Sequence, residues 1–322
     1  MMKAIQVNQF GTPDVLTVAE LPDPTPASGQ VVIHAYAAGV SPLDTYVREQ
    51  SHGAPTPPLP YIPGFEAAGT IAAVGEGVTQ FKQGDRVYTN TFLGAYAELV
   101  LQDATAVYPL PDPISFAQGT VVANSYPTAH YALFNIAKAT AGAMVFVHGA
   151  SGAVGSAAVQ IARAAGMTVV GSAGSTQGLE MVEEQGAHLT VNHREPDYLQ
   201  KALAFTDGKG FDVILEMNAT KKLADDVTLV APFGRVIVIG GTDGAVTFDP
   251  TSILWKGASI IGLYIGLASP QELAEIHAAL YAQLEQGELL PQVAQELALA
   301  DAPLAHEMVK TASSSGKIVL TF

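Results

Sequence analysis

The sequence predicts an α/β protein in which a β-rich N-terminal domain precedes a doubly wound domain on a six-stranded parallel sheet. Three observations carry this. The chain has 322 residues, more than one compact core usually organises, so two domains are expected. From about Tyr126, apolar strand-like runs alternate with helical patterns. And the run His148-Gly149-Ala150-Ser151-Gly152-Ala153-Val154-Gly155 joins one such strand to a helix.

The N-terminal third holds short β-like runs, Ala4 to Val7, Gln30 to Ala35 and Thr70 to Val74, separated by Pro, Gly and Asp clusters. The Pro-rich segment Pro55 to Pro63 fits neither helix nor central strand and reads as a surface loop. A helix is expected over Thr128 to Lys138. Strands then follow at 144–148, 168–172, 188–192, 212–216, 235–240 and 258–264. Helices near 154–166, 176–185, 197–205 and 221–230 fill the first four gaps, and 241–257 reads as loop. The tail shows one long helix, Pro270 to Gln286, and an extended end, Lys317 to Phe322. The expected division is a discontinuous first domain, 1–124 plus 266–322, around a second domain, 125–265, with the ligand cleft between them.

The glycine turn between Met144-Val145-Phe146-Val147 and the helix from Val154 points to a dinucleotide, because backbone N–H groups at a helix N-terminus bind a pyrophosphate. A ligand-free tight turn is the plain alternative. With no cysteine, disulfides, thiolate zinc sites, iron–sulfur clusters and a cysteine nucleophile are all excluded. The formal net charge of −15 disfavours nucleic acid and anionic membrane as partners. The N-terminus lacks the apolar core of a signal peptide, and Ala258 to Ala268 is too short to span a bilayer, so cytoplasmic residence is expected.

Pro63-Gly64-Phe65-Glu66-Ala67-Ala68-Gly69-Thr70, continuing through Val74-Gly75-Glu76-Gly77-Val78 to Gly84-Asp85-Arg86-Val87, resembles the signature of medium-chain dehydrogenase/reductases. Asp44-Thr45-Tyr46, the His148 turn, Asn192-His193-Arg194-Glu195 and Gly316-Lys317 extend the resemblance to the zinc-independent, zeta-crystallin-like quinone oxidoreductases. The resemblance implies a GroES-like catalytic domain and a Rossmann domain. Zinc-dependent relatives place a His where this chain has Phe65; only Glu66 remains, so no zinc is expected.

The resemblance also implies cofactor contacts. Gly149, Ser151, Gly152, Ala153, Val154 and Gly155 form the pyrophosphate turn, with Ala153 replacing a glycine common in the family. Gly171-Ser172-Ala173-Gly174-Ser175 carries no acidic residue for a ribose 2′-hydroxyl, so Ser172, Gly174 and Ser175 leave room for a 2′-phosphate, and NADPH is favoured. His193 matches a nucleotide-contacting position, though a capped loop histidine is the plain alternative, and Arg194 supplies positive charge. Ile239, Gly240, Gly241, Leu263, Tyr264 and Ile265 end the fifth and sixth strands. The loop between Gly241 and Gly244 is one residue longer than is usual in the family. Thr128 faces the nicotinamide, and Lys317 closes over ribose or phosphate. Lys222 stands where the family usually has Asn, and no role is carried to it.

Ser41 and Tyr46 are the implied catalytic pair at the nicotinamide end, with Ser41 standing where the family commonly has Asn. Tyr46, a phenol with an ordinary pKa near ~10, either donates a proton or only packs and orients the cofactor. Asp44 reads as a turn or cap residue. Tyr61, Phe65, Phe92 and Tyr96 are either aromatic walls for a flat acceptor or ordinary core. The implied function is metal-free reduction of quinones by NADPH. Reduction of α,β-unsaturated aldehydes or ketones uses the same site, and a non-catalytic structural or RNA-binding role is the reading from another class. By analogy alone the sixth strand pairs with its copy, giving a homodimer or homotetramer.

Overall fold

The structure, a computed structural model, describes residues 1–241, 244–311 and 315–322. The chain begins with β1 (Met2–Val7), β2 (Leu16–Leu21), β3 (Gln30–Val40), α1 (Pro42–Glu49), β4 (Glu66–Val74), β5 (Arg86–Asn90), β6 (Leu99–Asp103) and β7 (Val107–Pro109). Helix α2 (Phe116–His130) follows and continues as a π-helical stretch, Tyr131–Ile136. Next come β8 (Met144–Val147), α3 (Ala153–Ala164), β9 (Thr168–Ala173), α4 (Thr176–Glu184), β10 (Leu189–Asn192), α5 (Tyr198–Phe205), β11 (Phe211–Glu216) and α6 (Ala219–Leu229). Strand β12 (Val230–Val238), a short α7 (Thr251–Leu254) and β13 (Ser259–Gly262) complete this part. The tail forms α8 (Pro270–Glu285), β14 (Val293–Ala298), α9 (Ala302–Lys310) and β15 (Lys317–Thr321).

Two compact units result. One contains Met1–Asn124, His277–Gly287 and Pro291–Phe322; the other contains Ser125–Ile276 and Glu288–Leu290. Helix α8 contributes to both units, Ile276 belonging to the second and His277 to the first.

In the second unit six strands lie in the order β10-β9-β8-β11-β12-β13, every neighbouring pair parallel. Val145, Phe146, Val147, Val169, Val170, Ile214 and Leu215 are fully buried, as expected where helices cover both faces and strands are apolar throughout. Strand order reverses between β8 and β11, which places a ligand crevice outside the carboxyl ends of these strands. In the first unit β14-β15-β3-β4-β5-β7 form one sheet, β6 pairs with β3, and β1 pairs with β2.

The sequence patterns locate all six strands of the parallel sheet, but other elements depart from them. Helix α2 begins at Phe116 rather than Thr128 and tolerates Pro127 in its interior. The 241–257 connection contains α7, a single short turn of helix. β14 and α9 lie outside the elements read from the sequence: β14 is largely exposed and is held by pairing with β15, and α9 buries mainly Ala302, Ala305 and His306. No helix of the described residues is long and apolar enough to cross a membrane.

Candidate nucleotide-binding site

The glycine turn is shaped by close backbone approach. A Cβ on Gly155 would lie 2.3 Å from the Gly149 carbonyl oxygen and 2.7 Å from Ala150 Cα, so only glycine lets α3 pack this tightly on the turn. A Cβ on Gly152 would meet only the Gly149 oxygen, at 3.3 Å. Gly152 is the N-cap of α3 and has no capping side chain, so the first-turn amides, including those of Val154 and Gly155, lack intrahelical acceptors. Ser151 and Ala153 are half-buried beside them, and the Ala150 N–H is fixed to the Ser172 carbonyl at 2.8 Å. The arrangement presents amide donors and a helix dipole to an anion.

A second corner forms where β9 ends. A Cβ on Gly174 would lie 2.7 Å from His193 Nε2 and 3.1 Å from Arg194 Nε, so the missing side chain lets both rest against the loop. Ser175 caps α4, its Oγ accepting from the Gly178 N–H at 3.1 Å, which leaves the hydroxyl proton to donate. Burial holds the His193 imidazole below its ordinary pKa, helped by Lys222, His148 and Arg194, so at neutral pH the ring is uncharged. Arg194 is exposed and is the cation of this corner. Ser172 is fully buried within β9, and its Oγ is enclosed without a partner.

The remaining strand ends line up at the same edge. Ile239 and Gly240 lie just past β12, and both donate N–H groups to the Glu216 carbonyl, at 2.9 and 3.2 Å. A Cβ on Gly240 would sit 2.4 Å from the Met217 oxygen, so this ledge too depends on close approach. Gly241 precedes Thr242 and Asp243; the longer loop expected there lies outside the described residues. After β13, Leu263 donates to the Val238 carbonyl at 2.8 Å, Tyr264 is exposed, and Ile265 opens a 3-10 turn. Thr128 is buried in α2.

Ser41, Tyr46 and Lys317 belong to the first unit. Ser41 is the N-cap of α1 in a capping box with Asp44: its N–H and its Oγ both donate to Asp44 Oδ2, at 2.7 and 2.8 Å. Asp44 is thus a cap residue, and burial pushes its carboxyl up to about 7. Tyr46 is half-buried and stacks on His52, with ring centroids 4.1 Å apart. Lys317, expected to close over ribose or phosphate, is engaged within this unit. Its Nζ lies 2.7 Å from Glu66 Oε1 in the interior, because an ammonium on β15 beside a buried carboxylate is held by charge. Tyr61, Phe65 and Tyr96 are core, whereas Phe92 is 61% exposed.

Sequence reasoning missed one cluster. His148, Glu216 and Asp226 are buried together, with His148 Nε2 2.7 Å from Asp226 Oδ1 and 3.5 Å from Glu216 Oε2. Their only sequence signal is a polar residue at the end of each of two apolar strands, His148 after β8 and Glu216 closing β11, and an acidic residue, Asp226, within α6. The 2.7 Å contact has hydrogen-bond length, whereas two ligands of a tetrahedral zinc lie about 3.3 Å apart.

A GroES-like domain beside a dinucleotide-binding domain is the architecture of the medium-chain dehydrogenases, and comparisons with known proteins agree. Residues 27–112 match the alcohol dehydrogenase GroES-like domain, and residues 153–282 match the zinc-binding dehydrogenase domain. The chain is 42% identical to the quinone oxidoreductase of Rattus norvegicus over 99% of this chain and 98% of that protein. The Escherichia coli quinone oxidoreductase structure in complex with NADPH superposes with a TM-score of 0.90 at 28% identity, over 99% of this chain and all (100%) of that one. An NAD-dependent alcohol dehydrogenase structure superposes with a TM-score of 0.93, also at 28% identity, over 100% of both chains. The chain belongs to the quinone oxidoreductase family of the medium-chain dehydrogenase/reductases.

Proposed function

We propose that the chain is an NADPH-dependent quinone reductase that works without a metal. The observation that carries the cofactor choice is the corner after β9, where no carboxylate stands and Gly174 admits His193 and Arg194. An acidic side chain there would repel a 2′-phosphate; Arg194 and the Ser175 hydroxyl would instead hold one. Amides of the Gly149–Gly155 turn hold the pyrophosphate, and the uncharged His193 ring serves the adenosine half by stacking or hydrogen bonding. Ile239, Gly240, Gly241, Leu263, Tyr264 and Ile265 flank the cofactor at the strand ends, and Thr128 serves its nicotinamide half.

When bound, NADPH supplies a hydride equivalent, which with one proton converts a quinone to a quinol. The Ser41 hydroxyl already donates its hydrogen bond to Asp44, so it meets a ligand as an acceptor, suited to a carboxamide N–H. Tyr46 orients the nicotinamide end or protonates the acceptor oxygen. The family's zinc position does not fit a metal here, since Phe65 offers no ligand and Glu66 is ion-paired with Lys317. The full-length relationship to quinone oxidoreductases supports the acceptor class.

β13 is the edge of its sheet, and Tyr264 and Leu267 beyond it are 57% and 80% exposed. A second copy pairing along this edge makes the enzyme a homodimer, or a homotetramer built from such dimers, in the cytoplasm.

The test is NADPH oxidation with a naphthoquinone and with a short enone, each repeated with NADH. Quinone turnover preferring NADPH is expected. Faster turnover of the enone transfers the assignment to enone reduction. Binding of NADPH without oxidation by either acceptor leaves the non-catalytic reading.

A further inference from the structure

The buried cluster beside the glycine turn has an unbalanced set of hydrogen-bonding groups. His148 Nε2 and Asp226 Oδ1 are hydrogen-bonded at 2.7 Å. Glu216 Oε1 accepts from the Asn218 N–H. That leaves Glu216 Oε2 and Asp226 Oδ2, both buried and both without a donor. Two ionised carboxylates cannot share a dry site with an orphan oxygen each, since both desolvation and repulsion oppose it. One proton held between them removes the repulsion and satisfies both oxygens.

The cluster is built into the nucleotide floor. His148 is the residue before Gly149, and its N–H donates to the Leu215 carbonyl at 3.0 Å. The Glu216 carbonyl receives Ile239 and Gly240, the ledge at the end of β12. Asp226 ties both to α6. The charged groups around it are Lys222 and Asp225 on α6 and Arg194 after β10, and the neutral titratable groups are Tyr198 on α5 and His193. The Lys222 ammonium donates to the Tyr198 hydroxyl at 2.9 Å, and that hydroxyl donates to Asp225 at 2.9 Å. Lys222 and Asp225 are thus largely engaged with each other through Tyr198.

We propose that His148, Asp226 and Glu216 form a proton-sharing triad that positions the pyrophosphate turn, and that loss of its shared proton weakens the hold on an anionic dinucleotide. Glu216 is the carboxylic acid and donates to Asp226; Asp226 is the carboxylate and fixes His148 as its Nε2–H tautomer. These are positioning residues, and their role rests on the reading of this edge as the NADPH site. Burial, the first cause of a raised pKa at both carboxyls, favours retention of the proton at neutral pH. At alkaline pH the proton leaves and a second negative charge appears beneath the phosphates.

The experiment compares wild type, Asp226→Asn and Glu216→Gln. The infrared difference spectrum of ligand-free wild type minus Glu216→Gln should show a protonated-carboxyl band, the contribution of the buried Asp44 carboxyl being common to both and cancelling. NADPH titration by fluorescence across pH should show wild-type affinity falling at alkaline pH. Asp226→Asn, which keeps one acceptor oxygen but turns an amide NH2 toward the second donor, should weaken binding about tenfold. Glu216→Gln, whose amide still donates, should weaken it less than about threefold and lose the alkaline decline. Absence of the band, or equal weakening by both variants with an unchanged pH profile, overturns the proposal. Failure of wild type to bind NADPH overturns the positioning role and the functional reading together, while the band tests the shared proton by itself.

Discussion

Glu66 and Lys317, from β4 and β15, meet at 2.7 Å with side-chain exposures of only 0% and 5%. Gly39, the β3 partner of Glu66 in the sheet, makes room: a Cβ there would fall 2.0 Å from the Glu66 carboxylate and 2.9 Å from the Lys317 stem. Removing one member of a buried pair strands the other charge at a cost of roughly 3–5 kcal/mol. Lys317→Met should lower unfolding stability by about that amount in urea, and adding Glu66→Leu should restore part of it. If Lys317→Met leaves the urea midpoint unchanged, the pair is not a structural one.

The two glycines of the turn should fail differently. Gly155→Ala drives a methyl into the Gly149 carbonyl, so the βαβ unit must shift, and thermal stability should drop by several degrees (about 2 kcal/mol or more) along with NADPH binding. Gly152→Ala fits within a few tenths of an ångström, and should keep the melting temperature while weakening NADPH about tenfold. Calorimetry and fluorescence titration on both variants check this.

Cofactor preference should reside in one cation. Arg194→Ala removes the charge partner of a 2′-phosphate, and should raise KM for NADPH about tenfold with little change for NADH. Equal losses for both cofactors would place Arg194 elsewhere on the nucleotide.

Asp44 makes stability pH-dependent with a definite sign. Its folded pKa, pushed up to about 7 by burial and the nearby Glu66, lies above the ordinary 3.8 of the unfolded chain. The unfolded state therefore loses its proton first, and this contribution is present at low pH and declines between about pH 4 and 7. The decline amounts to about 4 kcal/mol at most. His306 acts oppositely. Burial, with Arg48 close by, depresses its pKa to about 3, so its contribution is present above about pH 6.5 and is lost as pH falls toward 3. Urea unfolding at pH 4.5 and 7.5 should show a smaller loss on raising the pH in Asp44→Asn than in wild type, because Asn keeps the cap acceptor without titrating.

The β13 edge predicts its own variant. Ile260→Pro removes an N–H and breaks an edge ladder, so sedimentation should shift the assembly toward monomer. A wild type that sediments as a monomer ends the dimer reading.

The parallel sheet and its glycine turn were legible in the chain because their signals are local: continuous apolar runs, a glycine where α3 crosses Gly149, and a missing acid after β9. The cysteine-free composition likewise removed thiolate chemistry without reference to any fold. β14 and α9 escaped because they are short and mix Ala, Leu and polar residues without a clear period, so pairing with β15 and packing of one helix face decide them. The surroundings of Ser172 and Lys317 were illegible for a related reason. Sequence shows that a hydroxyl or an ammonium is present, but strand pleat and a partner 251 positions away decide where it points. His148, Glu216 and Asp226 are each unremarkable in the sequence. Only the packing of two strand ends against one helix brings them together, and burial then turns three ordinary side chains into a shared-proton site.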